Sequence, residues 1–374
     1  MTEITGPGAD RSSTDTIPVY RPDLSGNERR YVLDCVDSGW ISAIGKYTDQ
    51  FEDMVSAYTG IRHAAAVSNG TVALHLALHC LDIGPGDEVI VPTFTYIASV
   101  NTIAQTGATP IFVDSQADDW LIDVADLRRK ITPRTKAIMA VHLYGSMCDM
   151  PSLVAIAREH DLRIVEDCAE ALGSKLHGTH AGAFGDAGTF SFFGNKTVTT
   201  GEGGMVVAND EALASRIRKV KGQGQSLTRH YWHDEIGFNY RMTNICAAIG
   251  VAQMERIVPI LERKRAIAEI YRTELRDSGV EFQRPRDGVV SSEWLVSLLL
   301  PPEVSRDAAR QRLADEGVDS RPVFYCAHHL PMYRTGDSHP VAEDIASRGI
   351  SLPSYPALTD EQVVSICKRL TSAL

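Results

Sequence analysis

Three stretches of the chain carry side chains whose types and spacing could do chemistry. In VSNGTVALHLAL (67–78) an apolar run meets Ser68-Asn69-Gly70-Thr71, and a helical pattern begins at once. Gly70 permits a tight turn, and the helix start behind it offers unpaired N–H groups at a positive dipole end, a ready anion site. The plainer alternative is that Ser68 or Thr71 only caps the helix. No GKS or GKT follows, so this is not a Walker loop. In IVEDCAEALGS (164–174) an apolar strand ends in three carboxylates, Glu166, Asp167 and Glu170. Acids at the C-terminal end of a parallel strand sit where open α/β sheets bind ligands. Such an acid could hold a protonated ring nitrogen, a ribose hydroxyl or a metal, or be a solvated strand end.

The third stretch is GTFSFFGNKTVTTGEGGMVV (188–207). Lys196 lies in a short glycine-rich loop between two apolar strands. A lysine held among apolar walls loses proton affinity and can act as an amine nucleophile, although most loop lysines are only solvated charges. Together, a phosphate cradle, an acid at a strand end and an enclosed lysine are what pyridoxal phosphate requires. Tyr96, in PTFTYIAS, could stack on such a ring or simply pack in the core.

These residues need a frame. The runs 64–68, 87–92, 109–115, 136–145, 162–168, 188–193 and 204–210 are short and Val/Ile-rich, and most do not alternate, which predicts strands buried on both faces. Helical patterns lie between them, as in TVALHLALHCL, where Leu74, Leu78 and Leu81 recur on one face. Strand–helix alternation predicts a large α/β domain with a mostly parallel sheet over 17–250. A long helical pattern over 243–277 contains Pro259, which kinks or splits it. Residues 251–374 read as that linking helix and a smaller α+β unit, and residues 1–16, polar and Gly-rich, as a mobile tail.

The bulk numbers narrow the function. The 374 residues make about two to three domain units. With 37 basic against 48 acidic residues the net charge is −11, which argues against a nucleic-acid or anionic-membrane surface. There is no run of about 18 apolar residues and no apolar signal core. Seven scattered cysteines without a CxxC pair fit a reducing cytoplasm. None of the 12 histidines shows a metal-ligand spacing, and His328-His329 point apart if extended, so no metal is expected. GAFGDAG (182–188) has spaced glycines, but no GxGxxG joins a first strand to a helix, which disfavours a dinucleotide oxidoreductase. A non-catalytic coenzyme-binding regulator has no basic patch in view to support it.

From about residue 17 onwards the chain resembles the DegT/DnrJ/EryC1/StrS family of pyridoxal-phosphate sugar aminotransferases. The resemblance rests on RPDLSGNERRYVLDCVDSGWIS, VSNGTVALHLAL, GDEVIVPTFTYIASVN, VHLYGSMCDM, VEDCAEALGS, FSFFGNKTVTTGEGGMV and NYRMTN. It implies an aspartate-aminotransferase-type fold (fold type I) and a homodimer with shared sites. It implies that Lys196 is the Schiff-base lysine and proton carrier, that Asp167 pairs with the pyridinium nitrogen and that Tyr96 stacks on the ring. Gly70, Thr71 and Ser191 then bind the phosphate, with Asn239 reaching across from the partner, and Glu170 sits near the ring hydroxyl. Trp40, Ile41 and Ser42 resemble a partner loop lining the substrate pocket. Arg321 and His328, in SRPVFYCAHHLPMY, resemble the segment that contacts the sugar or its nucleotide, although Cys326 and Ala327 depart from the family pattern; His329 is taken as structural. The implied reaction moves the amine of L-glutamate onto the ketone of a nucleotide-linked deoxysugar. GDP-4-keto-6-deoxymannose ranks first, ahead of dTDP-4-keto-6-deoxyglucose and an eight-carbon sugar.

Overall fold

The computed structural model describes residues 16–374, so the expected tail, but for Thr16, lies outside the described residues. Seven strands form the central sheet: β1 (His63–Val67), β2 (Glu88–Pro92), β3 (Thr109–Val113), β4 (Thr135–Val141), β5 (Arg163–Asp167), β6 (Ala187–Ser191) and β7 (Gly204–Ala208). Each overlaps one of the seven predicted runs. Their order is β1-β7-β6-β5-β4-β2-β3. All neighbours are parallel except where β7 runs against β6 and β1. Every residue of β2 and β7 is buried, as strands covered on both faces should be.

One feature of this topology gathers the chemistry at a single sheet edge. Asp167 ends β5 and Ser191 ends β6, while Gly204, which starts β7, pairs with Ser191. The helix Gly70–Cys80 starts at the same edge. Six of its eleven residues, among them Ala73, Leu74, Leu76 and Ala77, are buried, and it packs on β6 and β7.

The helical pattern over 243–277 is split. Asn244–Met254 and Ile257–Glu274 meet at 65°, and Pro259 sits in the first turn of the second helix, where its missing N–H costs nothing. The break therefore precedes the proline, and the expected boundary at 250/251 falls inside the first helix. The second helix joins two cores: Ile257 and Leu261 pack with the central sheet, and Ile267, Tyr271 and Leu275 pack with the C-terminal unit. That unit holds an antiparallel sheet, β8 (Glu281–Phe282), β9 (Val296–Leu299), β10 (Arg321–Pro322) and β11 (Gly349–Leu352), ordered β8-β9-β11-β10. Trp294 and Val323, from this part of the chain, belong to the larger core, so the two units share a packed seam. Among the described residues no single helix is long and apolar enough to cross a membrane.

Candidate active site

The sheet edge opens into a cavity of about 830 Å³, lined by Gly70, Thr71, Tyr96, Asp167, Glu170, Ser191, Lys196 and Arg321 among others. Stretches of sequence more than 100 residues apart thus converge on one space.

At the start of the helix Gly70–Cys80 the cap is Asn69, not Ser68 or Thr71: its Oδ1 accepts the Val72 N–H at 2.9 Å. The first-turn N–H groups of Gly70 and Thr71 have no intrahelical carbonyl to bond. Close approach requires the small residues here. A Cβ on Gly70 would lie 2.7 Å from Ser191 Cβ, and one on Gly204 would lie 2.4 Å from the Asn69 carbonyl oxygen. Strand ends and helix start therefore make a tight cradle of N–H and hydroxyl donors, suited to a phosphate.

The three carboxylates have separate fates. Glu166 is fully buried and accepts from His142 Nε2 (3.0 Å) and the N–H groups of Gly182, Phe184 and Gly185 (2.9, 2.8 and 2.7 Å). Burial favours its neutral form, yet His142 and these amides hold its pKa low. The glycines of GAFGDAG thus bind an internal carboxylate. Asp167 points to the cavity, and its Oδ2 accepts from Ser99 Oγ at 2.7 Å. Glu170 is buried, with Oε2 accepting the Tyr144 N–H at 2.7 Å. Burial pushes its pKa up to about 7, against the pull of Lys196 and that N–H.

Lys196 Nζ lies 3.8 Å from Glu170 Oε1 and 4.1 Å from the centre of the Trp294 ring. Burial lowers its pKa, opposed by Glu170 and Asp167. A buried amine with reduced proton affinity, a carboxylate at a strand end and an anion cradle fit pyridoxal phosphate as a donor set.

Residues 22–371 match the DegT/DnrJ/EryC1/StrS aminotransferase family. The chain belongs to that family. It is accordingly a pyridoxal-phosphate-dependent sugar aminotransferase with the aspartate-aminotransferase-type fold. It is 54% identical to the GDP-perosamine synthase of Escherichia coli O157:H7, over 95% of this chain and 97% of that protein. Identity to the GDP-perosamine synthase of Vibrio cholerae is 51%, over 94% and 97%. The Spr1654 protein of Streptococcus pneumoniae in its PLP form superposes with a TM-score of 0.91 at 31% identity, covering 96% of this chain and 98% of that one.

Within this family member some expected residues stand apart from their own chain's cavity. Asn239, Trp40, Ile41 and Ser42 do not line it; Trp40 and Ile41 are about half exposed on a loop after the helix Glu28–Ser38. His328 does not line this cavity either: it is buried, with Nδ1 at 2.6 Å from Thr93 Oγ1 and Nε2 at 3.2 Å from Glu343 Oε1. Its ring also touches that of His329, because 327–329 form a 3₁₀ turn, not an extended strand. The fold brings His142 beside Glu166 and Cys168, and His328 beside His329 and Glu343, groupings that the sequence spacing does not reveal. In both, the buried histidine's ring nitrogens are already engaged in hydrogen bonds. Ser99, Tyr144, Trp294 and Phe324 are site residues the sequence reading missed. Each acts through a partner distant in sequence, so no local pattern marks it in the chain.

Proposed function

We propose that this enzyme transfers the amine of L-glutamate to GDP-4-keto-6-deoxymannose, yielding 2-oxoglutarate and GDP-perosamine. The observation that carries the sugar assignment is 54% identity, nearly end to end, to a GDP-perosamine synthase. Arg321, exposed on the cavity wall, offers a cation to an anionic group of either substrate.

Pyridoxal phosphate, when bound, supplies the electron sink for the carbanion at the donor's α-carbon. The N–H groups of Gly70 and Thr71 and the Ser191 hydroxyl would hold the phosphate. Asp167, oriented by Ser99, would pair with the ring nitrogen and keep it protonated. Tyr96 supplies a ring face, steadied by Phe324 at 5.6 Å. Lys196 Nζ moves the proton, and its lowered proton affinity suits it to act as a base. The mouth of the cavity is completed by a second copy, whose Asn239 and 40–42 loop come from exposed segments. The seven free cysteines and the sugar-nucleotide substrate agree with a cytoplasmic setting.

The test is the visible spectrum of the purified protein with pyridoxal phosphate, before and after L-glutamate, followed by product mass with GDP-4-keto-6-deoxymannose. A visible absorbance band that forms with the coenzyme and that glutamate bleaches supports coenzyme and donor. Turnover of only a dTDP-linked or eight-carbon ketosugar would overturn the sugar assignment.

A further inference from the structure

We propose that Trp294 is a positioning residue that holds the Lys196 ammonium whenever the lysine is not bonded to coenzyme. The inference rests on the role given to Lys196 above. Trp294 comes from the C-terminal part of the chain, just before β9, and is buried against the lysine loop. Its ring presents a face to Lys196 Nζ at 4.1 Å, within the range of a cation–π contact. The same indole donates Nε1–H to the carbonyl of Asn195, the residue before the lysine, at 2.8 Å.

The other partners of Trp294 close a circuit. Tyr144 stacks with it at 6.1 Å and 14°, and the Trp294 N–H donates to the Tyr144 carbonyl at 3.2 Å. Tyr144 is itself fixed in the left-handed region (φ 56°, ψ 13°), a strained conformation for a non-glycine residue that is kept where the surroundings impose it. That backbone turns the Tyr144 N–H onto Glu170, whose other oxygen faces Lys196 at 3.8 Å. The ammonium therefore lies between a π face and a carboxylate, both anchored to one another. In the pyridoxamine half of the cycle the freed lysine needs such a place, because a flexible four-carbon amine would otherwise sample the whole cavity.

A ring face that favours the charged lysine raises its pKa, so removing the face must lower it. The experiment measures the pH midpoint of Lys196 labelling by a small amine-reactive reagent in coenzyme-free protein, read by mass spectrometry. Trp294→Leu should lower that midpoint by about half to one pH unit relative to the wild type. Trp294→Phe, with a weaker ring, should lower it by less. Replacing Trp294 alone with a tetrafluorinated tryptophan keeps the shape but drains the negative face, and should shift the midpoint in the same direction; this decides the matter even if Trp294→Leu fails to fold. In the holoenzyme, Trp294→Leu should slow the single-turnover glutamate reaction about tenfold with the KM for glutamate within about twofold. An unmoved midpoint in the fluorinated protein overturns the inference. If the wild type forms no coenzyme band at all, it is the role of Lys196 that fails instead.

Discussion

Lys196 and Glu170 face each other at 3.8 Å, and burial pushes each toward its neutral form. Burial draws the carboxyl up to about 7 and the amine down, so the two groups stand closer in proton affinity than they would in water, as a proton-transfer pair requires. Lys196→Ala should abolish turnover, a loss of at least ~10²–10⁴, while pyridoxamine phosphate still binds through the cradle and Asp167. Fluorescence titration and steady-state assay of the same preparation check both halves. A second residue sets acid sensitivity. His180 is buried with Nε2 accepting the Gly173 N–H and Nδ1 bonded to the Ala181 carbonyl, and burial lowers its pKa from 6.5 to about 4. The unfolded chain takes a proton there first as pH falls. Stability is therefore lost between pH 6.5 and 4, by up to about 3 kcal/mol. Denaturant melts at pH 7 and 4.5 should show a shallower loss in His180→Gln than in the wild type. Single residues were legible where their neighbours betrayed them: Lys196 by its apolar, glycine-rich flanks, Asp167 by its strand. Ser99, 68 residues from the carboxylate it orients, leaves no such trace. Nor does spacing reveal that His328 is sealed inside.

At the scale of elements, the seven central strands were readable because strands covered on both faces are written as continuous apolar runs. The helices Glu28–Ser38 and Lys46–Thr59 were not assigned from the pattern, since each buries only part of one face against the helix Asn244–Met254. Long-range packing, not periodicity, fixes them. The helix Gly70–Cys80 shows what an element adds to its residues. Its start is held by the Asn69 cap and pressed against β6 and β7 through Gly70 and Gly204, so donors that would be solvated in a free helix are aimed into the cavity. Asn69→Ala should cost about 1 kcal/mol in thermal or chemical melts. Gly70→Ala places a methyl 2.7 Å from Ser191 Cβ and should weaken coenzyme binding about tenfold by equilibrium titration, with folding largely kept. An unchanged affinity would separate the cradle from the coenzyme.

The whole molecule carries an imbalance that one copy does not resolve. Large apolar side chains stand in water on two segments: Leu33, Val36, Trp40, Ile41 and Ile44 on one, Leu227, Tyr231, Trp232 and Ile236 on the other. Soluble monomers rarely leave so much apolar surface uncovered. The same two regions hold or adjoin the expected site residues that miss their own cavity, Trp40 to Ser42 and Asn239. The dimer proposed above would answer both facts, because an isologous contact returns to each subunit whatever it lends. Complementation tests this directly. Lys196→Ala and Asn239→Ala are each expected to be nearly inactive alone. In a mixed dimer one site combines both lesions, while the other pairs an intact Lys196 with an intact Asn239 from its partner. Random re-association makes half the dimers mixed, each with one good site of two, so activity should recover to about a quarter of the wild type. If Asn239 served its own chain, every site in the mixture would carry a lesion and no activity would return.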